Sequence, residues 1–255
     1  MSGLLTTIAA EKRDIVAGLL AQTPPLRPEA HGPVRGFVEA VQRGGVIAEI
    51  KRRSPSVDAF PNGRDPLSLA RIYQANGAAA ISIVTDTPRF GMTLDDVTAV
   101  RETVGIPVLV KDFVIDAAQI RAAWAAGADA ILLIARLVDG DLLRHLHDEA
   151  EALGLAALVE CHDDDDLDAA VAVGATLIGI NSRNLDTLEL DLHTTRRLLQ
   201  RHPADTIMVA ESGLRNRADI LDLAALGADA FLIGSTLLTA ADPGLTLRHL
   251  TGEES

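Results

Sequence analysis

The sequence predicts a closed (β/α)8 barrel, the TIM-barrel architecture, preceded by an extra helical segment, and three observations carry that prediction. Eight short apolar runs recur along the chain, beginning at Val46, Ala79, Val108, Ala130, Ala156, Leu177, Ile207 and Ala230, and regular recurrence marks a repeated supersecondary unit. Helix-like stretches such as Asp116 to Ala126 and Leu142 to Leu153 fall between them. Strands apolar at every position, alternating with helices, mean a parallel sheet covered on both faces. Finally, 255 residues of 48% hydrophobic content suit one barrel.

Taken in order, Leu4 to Leu20 places Leu4, Leu5, Ile8, Ile15, Leu19 and Leu20 at near-helical spacing, which predicts an amphipathic helix packed as a cap. Thr23 to Pro33, with four prolines, reads as its connection to the barrel. The expected layout is one domain over 1–255, with a helical extension over 1–45, the barrel over 46–250 and a frayed end from Thr251 to Ser255. Gly45, Gly77, Gly105, Gly127, Gly154, Gly174 and Gly227 precede strands and are expected to end helices in the left-handed conformation. A doubly wound sheet competes, but no Gly-x-Gly-x-x-Gly turn follows the first strand, which favours closure.

The net charge of −13 opposes binding to nucleic acid and to anionic membranes, so an anionic ligand needs a local cationic pocket. Cys161 is the one cysteine, which excludes an intrachain disulfide framework and fits a reducing cytoplasm. No apolar run reaches the roughly 18 residues of a membrane span. A monomer is the default expectation.

Chemistry in such barrels collects at the C-terminal ends of the strands. The first strand ends in Ala-Glu-Ile-Lys, and the two-residue period puts Glu49 and Lys51 on one face. Lys111 pairs likewise with Phe113, while Glu160, Asn181 with Arg183, and Glu211 end strands five, six and seven. Buried carboxylates without partners would cost several kcal/mol each, so Lys51, Lys111 and Arg183 are expected neighbours, an arrangement suited to general acid and base catalysis. Glu211-Ser212-Gly213 after strand seven and Ile233-Gly234-Ser235 after strand eight read as a phosphate cradle of backbone N–H groups, with Ser54, Pro55 and Ser56 closing the rim.

The stretches VIAEIKRRSPS (46–56), PVLVKDFVID (107–116), AAGADAILLI (125–134), LVECH (158–162), IGINSRNLDTLELD (178–191) and AESGL (210–214) together resemble indole-3-glycerol phosphate synthase. The resemblance implies ring closure of 1-(2-carboxyphenylamino)-1-deoxyribulose 5-phosphate with loss of CO2 and water, and it implies no metal or organic cofactor. Lys111 would be the general acid on the ketone oxygen. Lys51 would bind the anionic substrate and assist the later loss of hydroxide. Glu160 would be the partner acid or base and Glu49 would orient the lysines. Asn181 and Arg183 would fix the substrate, with Glu211 and Ser212 contacting it and Phe90 and Phe113 walling the anthranilate ring. Ser54, Gly213, Gly234 and Ser235 would bind phosphate, with Ser56 beside them.

The chain departs from the family pattern at four places. Val57-Asp58 replaces Lys-Gly, Val110 replaces arginine, Ser182 replaces asparagine and Met92-Thr93 replaces Gly-Ser. These keep a paralogue for a substituted anthranilate, and a non-catalytic phosphate-binding barrel, as alternatives. Phosphoribosylanthranilate isomerase is disfavoured by Lys51 where that enzyme carries cysteine; an aldolase forming a Schiff base on Lys111 is a further rival. His145 and His147 are expected to face solvent, Asp163 to Asp166 to cap a helix, and Cys161 to be buried and structural.

Overall fold

The computed structural model describes residues 4–22, 32–54, 64–184, 187 and 189–253. The expectations for Ser56, Val57 and Asp58, and most of the proline-rich connection, lie outside the described residues. Eight parallel strands close in sequence order: β1 (Val46–Ile50), β2 (Ala78–Val84), β3 (Val108–Lys111), β4 (Ala130–Ile134), β5 (Ala156–Cys161), β6 (Leu177–Asn181), β7 (Ile207–Glu211) and β8 (Ala230–Ile233), with β8 pairing β1. The predicted starts hold, except that β2 begins one residue earlier.

The helices are α1 (Leu4–Gln22), α2 (Phe37–Val41), α3 (Pro66–Ala75), α4 (Thr87–Phe90), α5 (Leu94–Thr103), α6 (Ala117–Ala125), α7 (Gly140–Ala152), α8 (Asp164–Ala172), α9 (Leu192–Leu199), α10 (Arg217–Ala225), α11 (Ser235–Thr239) and α12 (Pro243–Thr251), with a 3-10 turn at Ala135–Leu137. Aspartates start many of them. Asp65, Asp116, Asp139, Asp163, Asp191 and Asp242 each accept a backbone N–H of the first turn, satisfying donors that a helix leaves without partners. The run Asp163 to Asp166 therefore serves as expected, and Arg136 joins its two ends through Asp163 and Asp166.

Alternation along the strands divides the core in two. Ile47, Leu109, Leu132, Leu158, Leu177 and Val209 fill the barrel interior. Their sequence neighbours, such as Ala48, Val110, Ile131, Val159 and Ile178, pack between barrel and helices, as a two-residue period requires. Phe37 and Val41 of α2 join the interior cluster and plug its N-terminal end.

Of the seven glycines, Gly77, Gly127, Gly154, Gly174 and Gly227 are left-handed, whereas Gly45 and Gly105 are not. At Gly45 the constraint is space: a Cβ would lie 2.7 Å from that of Ala79. Gly44 takes the left-handed turn instead, and Asp205, with φ of 59°, does so before β7, where no glycine marks the turn.

Two matching joints hold the N-terminal rim. Asp129 accepts the N–H of Val108, and its backbone carbonyl accepts that of Ala156. Asp229 accepts the N–H of Met208, and its carbonyl accepts that of Gly44.

The leading helix corrects the expected apolar face. Ile15 and Leu20 are exposed, and the buried line is Ile8, Lys12 and Val16. A lysine sits on that face because it is doubly paired, to Asp86 at 3.0 Å and Asp112 at 2.5 Å, beyond the C-terminal ends of β2 and β3. Lys12→Met is expected to lower stability by about 3 kcal/mol, the low end for breaking a buried ion pair, because Arg89 still reaches Asp86. Denaturant unfolding of the two proteins measures this. His147 is a second correction: it lies on the buried face of α7 with Leu143, Leu146 and Ala150, not in solvent, and its Nδ1 is 3.8 Å from Glu151. His145 is exposed as expected.

Candidate active site

The strand period that builds the core also delivers the site. Glu49 stands two residues beyond interior Ile47, Lys111 beyond Leu109, Glu160 beyond Leu158, Asn181 beyond Gly179 and Glu211 beyond Val209. Five side chains thus converge where the apolar filling ends. A cavity of about 270 Å3 opens there, lined by these residues and by Lys51, Phe90, Phe113, Arg183, the Ser212-Gly213 turn and Gly234-Ser235. Every predicted site residue among these lines one mouth. Ser54 is half-buried at the edge of the described residues and does not line the cavity.

Charge is compensated inside the mouth. Lys51 Nζ donates to Glu49 Oε1 at 2.5 Å and stands 5.8 Å from the centroid of the Phe90 ring, within range of a cation–π attraction. Lys111 Nζ donates to Glu160 Oε2 at 2.7 Å and lies 3.4 Å from Glu211. Burial works against the Lys111 ammonium, yet the carboxylates of Glu160, Glu211 and Glu49 outweigh it and raise its pKa. Burial also opposes charge on Glu160, but Lys111, His162 and Asn181 hold its carboxyl below the usual range.

Glu211 is the loser of this contest. It is 1% exposed, and among the described residues neither of its oxygens receives a well-formed hydrogen bond. Burial, against the pull of Lys111 and with Glu160 and Glu49 adding to it, pushes its carboxyl up to about 8. Burial thus favours the protonated form of Glu211, while Lys111 favours the ionised form of Glu160. A carboxyl whose folded pKa is raised contributes stability present below its unfolded pKa and lost as pH rises through the folded value. Glu211→Gln, a neutral isostere, should match the parent's thermal midpoint near pH 4, below the unfolded carboxyl's range, and exceed it near pH 9. Parallel melting curves would refute this by showing the same difference at both pH values.

Two glycines make room for the acids. A Cβ on Gly179 would lie 2.2 Å from Glu211 Oε1, and one on Gly234 would lie 2.3 Å from Glu49 Oε1. Gly234 is thus needed for Glu49 as well as for any anion. Opposite the lysines, Ser212 and Gly213 are both left-handed, with φ of 66° and 78°. Ser182 Oγ reaches the carbonyls of Glu211 and Ser212, and Thr236 Oγ1 donates to the Leu214 carbonyl at 2.5 Å. A strained non-glycine turn held from both sides is a usual mark of a functional loop. The first turn of α11 opens beside it, with N–H groups that have no acceptor within the helix. Arg183 is presented by a hairpin in which it bridges Leu190.

The departures take concrete places. Val110 is buried between barrel and helices and Met92 is fully buried; Thr93 caps α5. None of the three lines the cavity. Ser182 holds the turn after β7. Cys161 is buried behind the barrel, and burial raises its thiol pKa, as befits a structural residue. Sequence reasoning missed Lys12, Asp112, Gly179 and His162. Gly179 alone carried a local signal, because glycine inside a strand marks a close approach.

The family model described as indole-3-glycerol phosphate synthase matches residues 5–250. Proteins of that name are similar along the chain. The one from Nocardioides sp. is 45% identical over 247 residues, covering 97% of this chain and 92% of its own. The one from Albidiferax ferrireducens is 40% identical and covers 98% of each. Among solved structures, 3-hexulose-6-phosphate synthase from Salmonella typhimurium superposes with a TM-score of 0.65 at 17% identity, over 82% of this chain and 97% of its own. Thiamine phosphate pyrophosphorylase from Pyrococcus furiosus gives 0.61 at 15%, over 84% and 98%. At such identity these two structures speak to the barrel alone.

Proposed function

The chain belongs to the indole-3-glycerol phosphate synthase family, and from this we propose that it converts 1-(2-carboxyphenylamino)-1-deoxyribulose 5-phosphate to indole-3-glycerol phosphate, CO2 and water. The observation that supports this best is the pair of half-buried lysines, each held by carboxylates, facing a small-residue turn across one barrel mouth. The phosphate goes to Gly213, Gly234, Ser235 and the start of α11, with Ser54 and Ser56 added on the strength of the sequence pattern alone. Arg183 and Asn181 fix the anthranilate carboxylate. Phe90 and Phe113 wall its ring, where burial contributes about 25 cal/mol per Å2. Ser212 and Glu211 meet the substrate's hydroxyls.

The reaction then has three proton movements. The ring carbon bearing the carboxylate attacks the ketone carbon while Lys111 gives a proton to the ketone oxygen. The carbon–carboxylate bond breaks, its electron pair restores the aromatic ring, and CO2 departs. Lys51 assists loss of the new hydroxyl as water, and Glu160 accepts the proton released from the adjacent methylene. Glu49 orients Lys51. Two protons are given and one is returned, matching the carboxylate that leaves as neutral CO2.

The lysines also weigh against the aldolase rival. A Schiff-base lysine needs a lowered pKa, and Lys111 is shifted the other way. Among the described residues no helix is long and apolar enough to cross a membrane, and the buried Cys161 supports a reducing cytoplasm as the compartment.

The test is a fluorescence assay for indole-3-glycerol phosphate with purified protein, the carboxyphenylamino-deoxyribulose phosphate and a chelator. Product establishes the reaction. A folded protein that binds substrate without turnover would overturn it in favour of a specialised or non-catalytic role.

A further inference from the structure

Behind the site lies a line of buried polar atoms that the reaction scheme leaves unused. Glu160 uses Oε2 for Lys111, while its Oε1 faces away from the ammonium and has no well-formed hydrogen bond. The His162 Nε2 atom stands 3.3 Å from that oxygen, and His162 Nδ1 stands 3.5 Å from Asp166 Oδ2. The His162 side chain is 5% exposed, it does not line the cavity, and both ring nitrogens are buried without an ideal partner. Three orphaned buried atoms in one contiguous line need an explanation.

The geometry supplies one. Asp166 is fixed from two other directions, by the Arg136 guanidinium at 2.7 Å and by the backbone N–H of His162 at 2.8 Å. It therefore gives a firm acceptor on one side of the imidazole, with Glu160 on the other. A ring placed between two carboxylates can offer an N–H to the oxygen it faces, and here Nε2 faces Glu160 Oε1. The two distances are long for hydrogen bonds; such contacts tighten when substrate orders a site.

We propose that His162 is a positioning residue, holding the second oxygen of Glu160 from behind so that the first faces Lys111 and the substrate. It rests on the reaction read above only for the step in which Glu160 accepts a proton. The charged and titratable groups around His162 are Glu160 on β5, Asp166 on α8, Arg136 on the 3-10 turn with Asp163 beyond it, and Lys111 and Glu211 across Glu160. Cys161 lies on the opposite face of the strand. Removing the imidazole takes a donor from Glu160, so the Glu160 carboxyl must hold its proton to higher pH.

The experiment compares the parent with His162→Ala and His162→Gln. The carboxyl of Glu160 is followed by carbon NMR in the free protein, identified by the signal lost in Glu160→Gln. The Glu160 titration is expected to move up by about one pH unit in His162→Ala, and by less in His162→Gln, whose amide restores one donor. In the enzyme assay, kcat should fall about 10- to 100-fold, the usual effect of a group that orients a working residue. KM should change less than about twofold, and the acidic limb of the kcat profile should move with the titration. If His162→Ala does not fold, His162→Gln decides alone. An unmoved titration in a folded variant, or a loss confined to KM, overturns the proposal. A parent that makes no product would instead remove the proposed reaction, and the titration would still judge the contact between His162 and Glu160.

Discussion

Lys111→Ala is expected to lower kcat by at least 10²- to 10⁴-fold, the range for loss of a general acid. The structure adds a cost that the strand pattern alone did not disclose. Lys111 is the cation that Glu160 and Glu211 share, so its removal leaves two nearly inaccessible carboxyls with no ammonium between them. Breaking a buried pair from one side destabilises by about 3–5 kcal/mol. Glu160 carries that loss, since its lowered pKa depends on Lys111 whereas burial raises that of Glu211 and favours its neutral form. A carboxyl with a depressed folded pKa contributes stability present above its unfolded pKa and lost as pH falls through the folded value. The deficit of Lys111→Ala should therefore be largest at neutral pH and shrink in acid. Turnover must be scored on protein shown by circular dichroism to be folded. Near-parental kcat in that protein would remove Lys111 from the chemistry.

Gly179→Ala is expected to be nearly as damaging, although Gly179 carries no reactive atom. Its added methyl would enter the space of the Glu211 carboxyl on one side and stand 3.4 Å from Leu158 on the neighbouring strand. Overpacking of this kind costs about 1–3 kcal/mol. Displacing Glu211 by even an ångström disturbs the Lys111 contact, a misplacement able to cost about 10²-fold in rate. Steady-state kinetics with a melting curve measures both. If turnover were retained, Glu211 would be shown to need no fixed place.

What could be read from the chain and what could not follow from the range of the interactions. Glu49 with Lys51, and the inward faces of Lys111, Glu160, Asn181 and Glu211, follow from a two-residue period within single strands. The positions of their strands follow from apolar runs that need no tertiary knowledge. The glycines before strands were legible as turns but not as geometry, since Gly45 answers to crowding while Asp205 takes a left-handed turn unaided. Lys12 was illegible because its partners Asp86 and Asp112 are far along the chain, so a helical pattern counts it as solvent-facing. His147 failed for the same reason: its helix buries a polar residue at an apolar position. The placement of Glu211, Gly179 and His162 emerged only when three strand ends met.

The paired joints at Asp129 and Asp229 carry a consequence for how the barrel opens. Both lie in the tetrapeptide Gly-Ala-Asp-Ala, which occurs at 127–130 and again at 227–230. Each clasps three successive strands, β3–β4–β5 in one case and β7–β8–β1 in the other. The fold is thus two half-barrels joined by equivalent clasps, and the clasp that closes the ring is built like the one inside it. They differ in wetness: the Asp129 side chain is fully buried and that of Asp229 is 32% exposed. Exposed polar contacts open more readily, so amide hydrogen exchange should report the seam between β8 and β1 parting before that between β4 and β5.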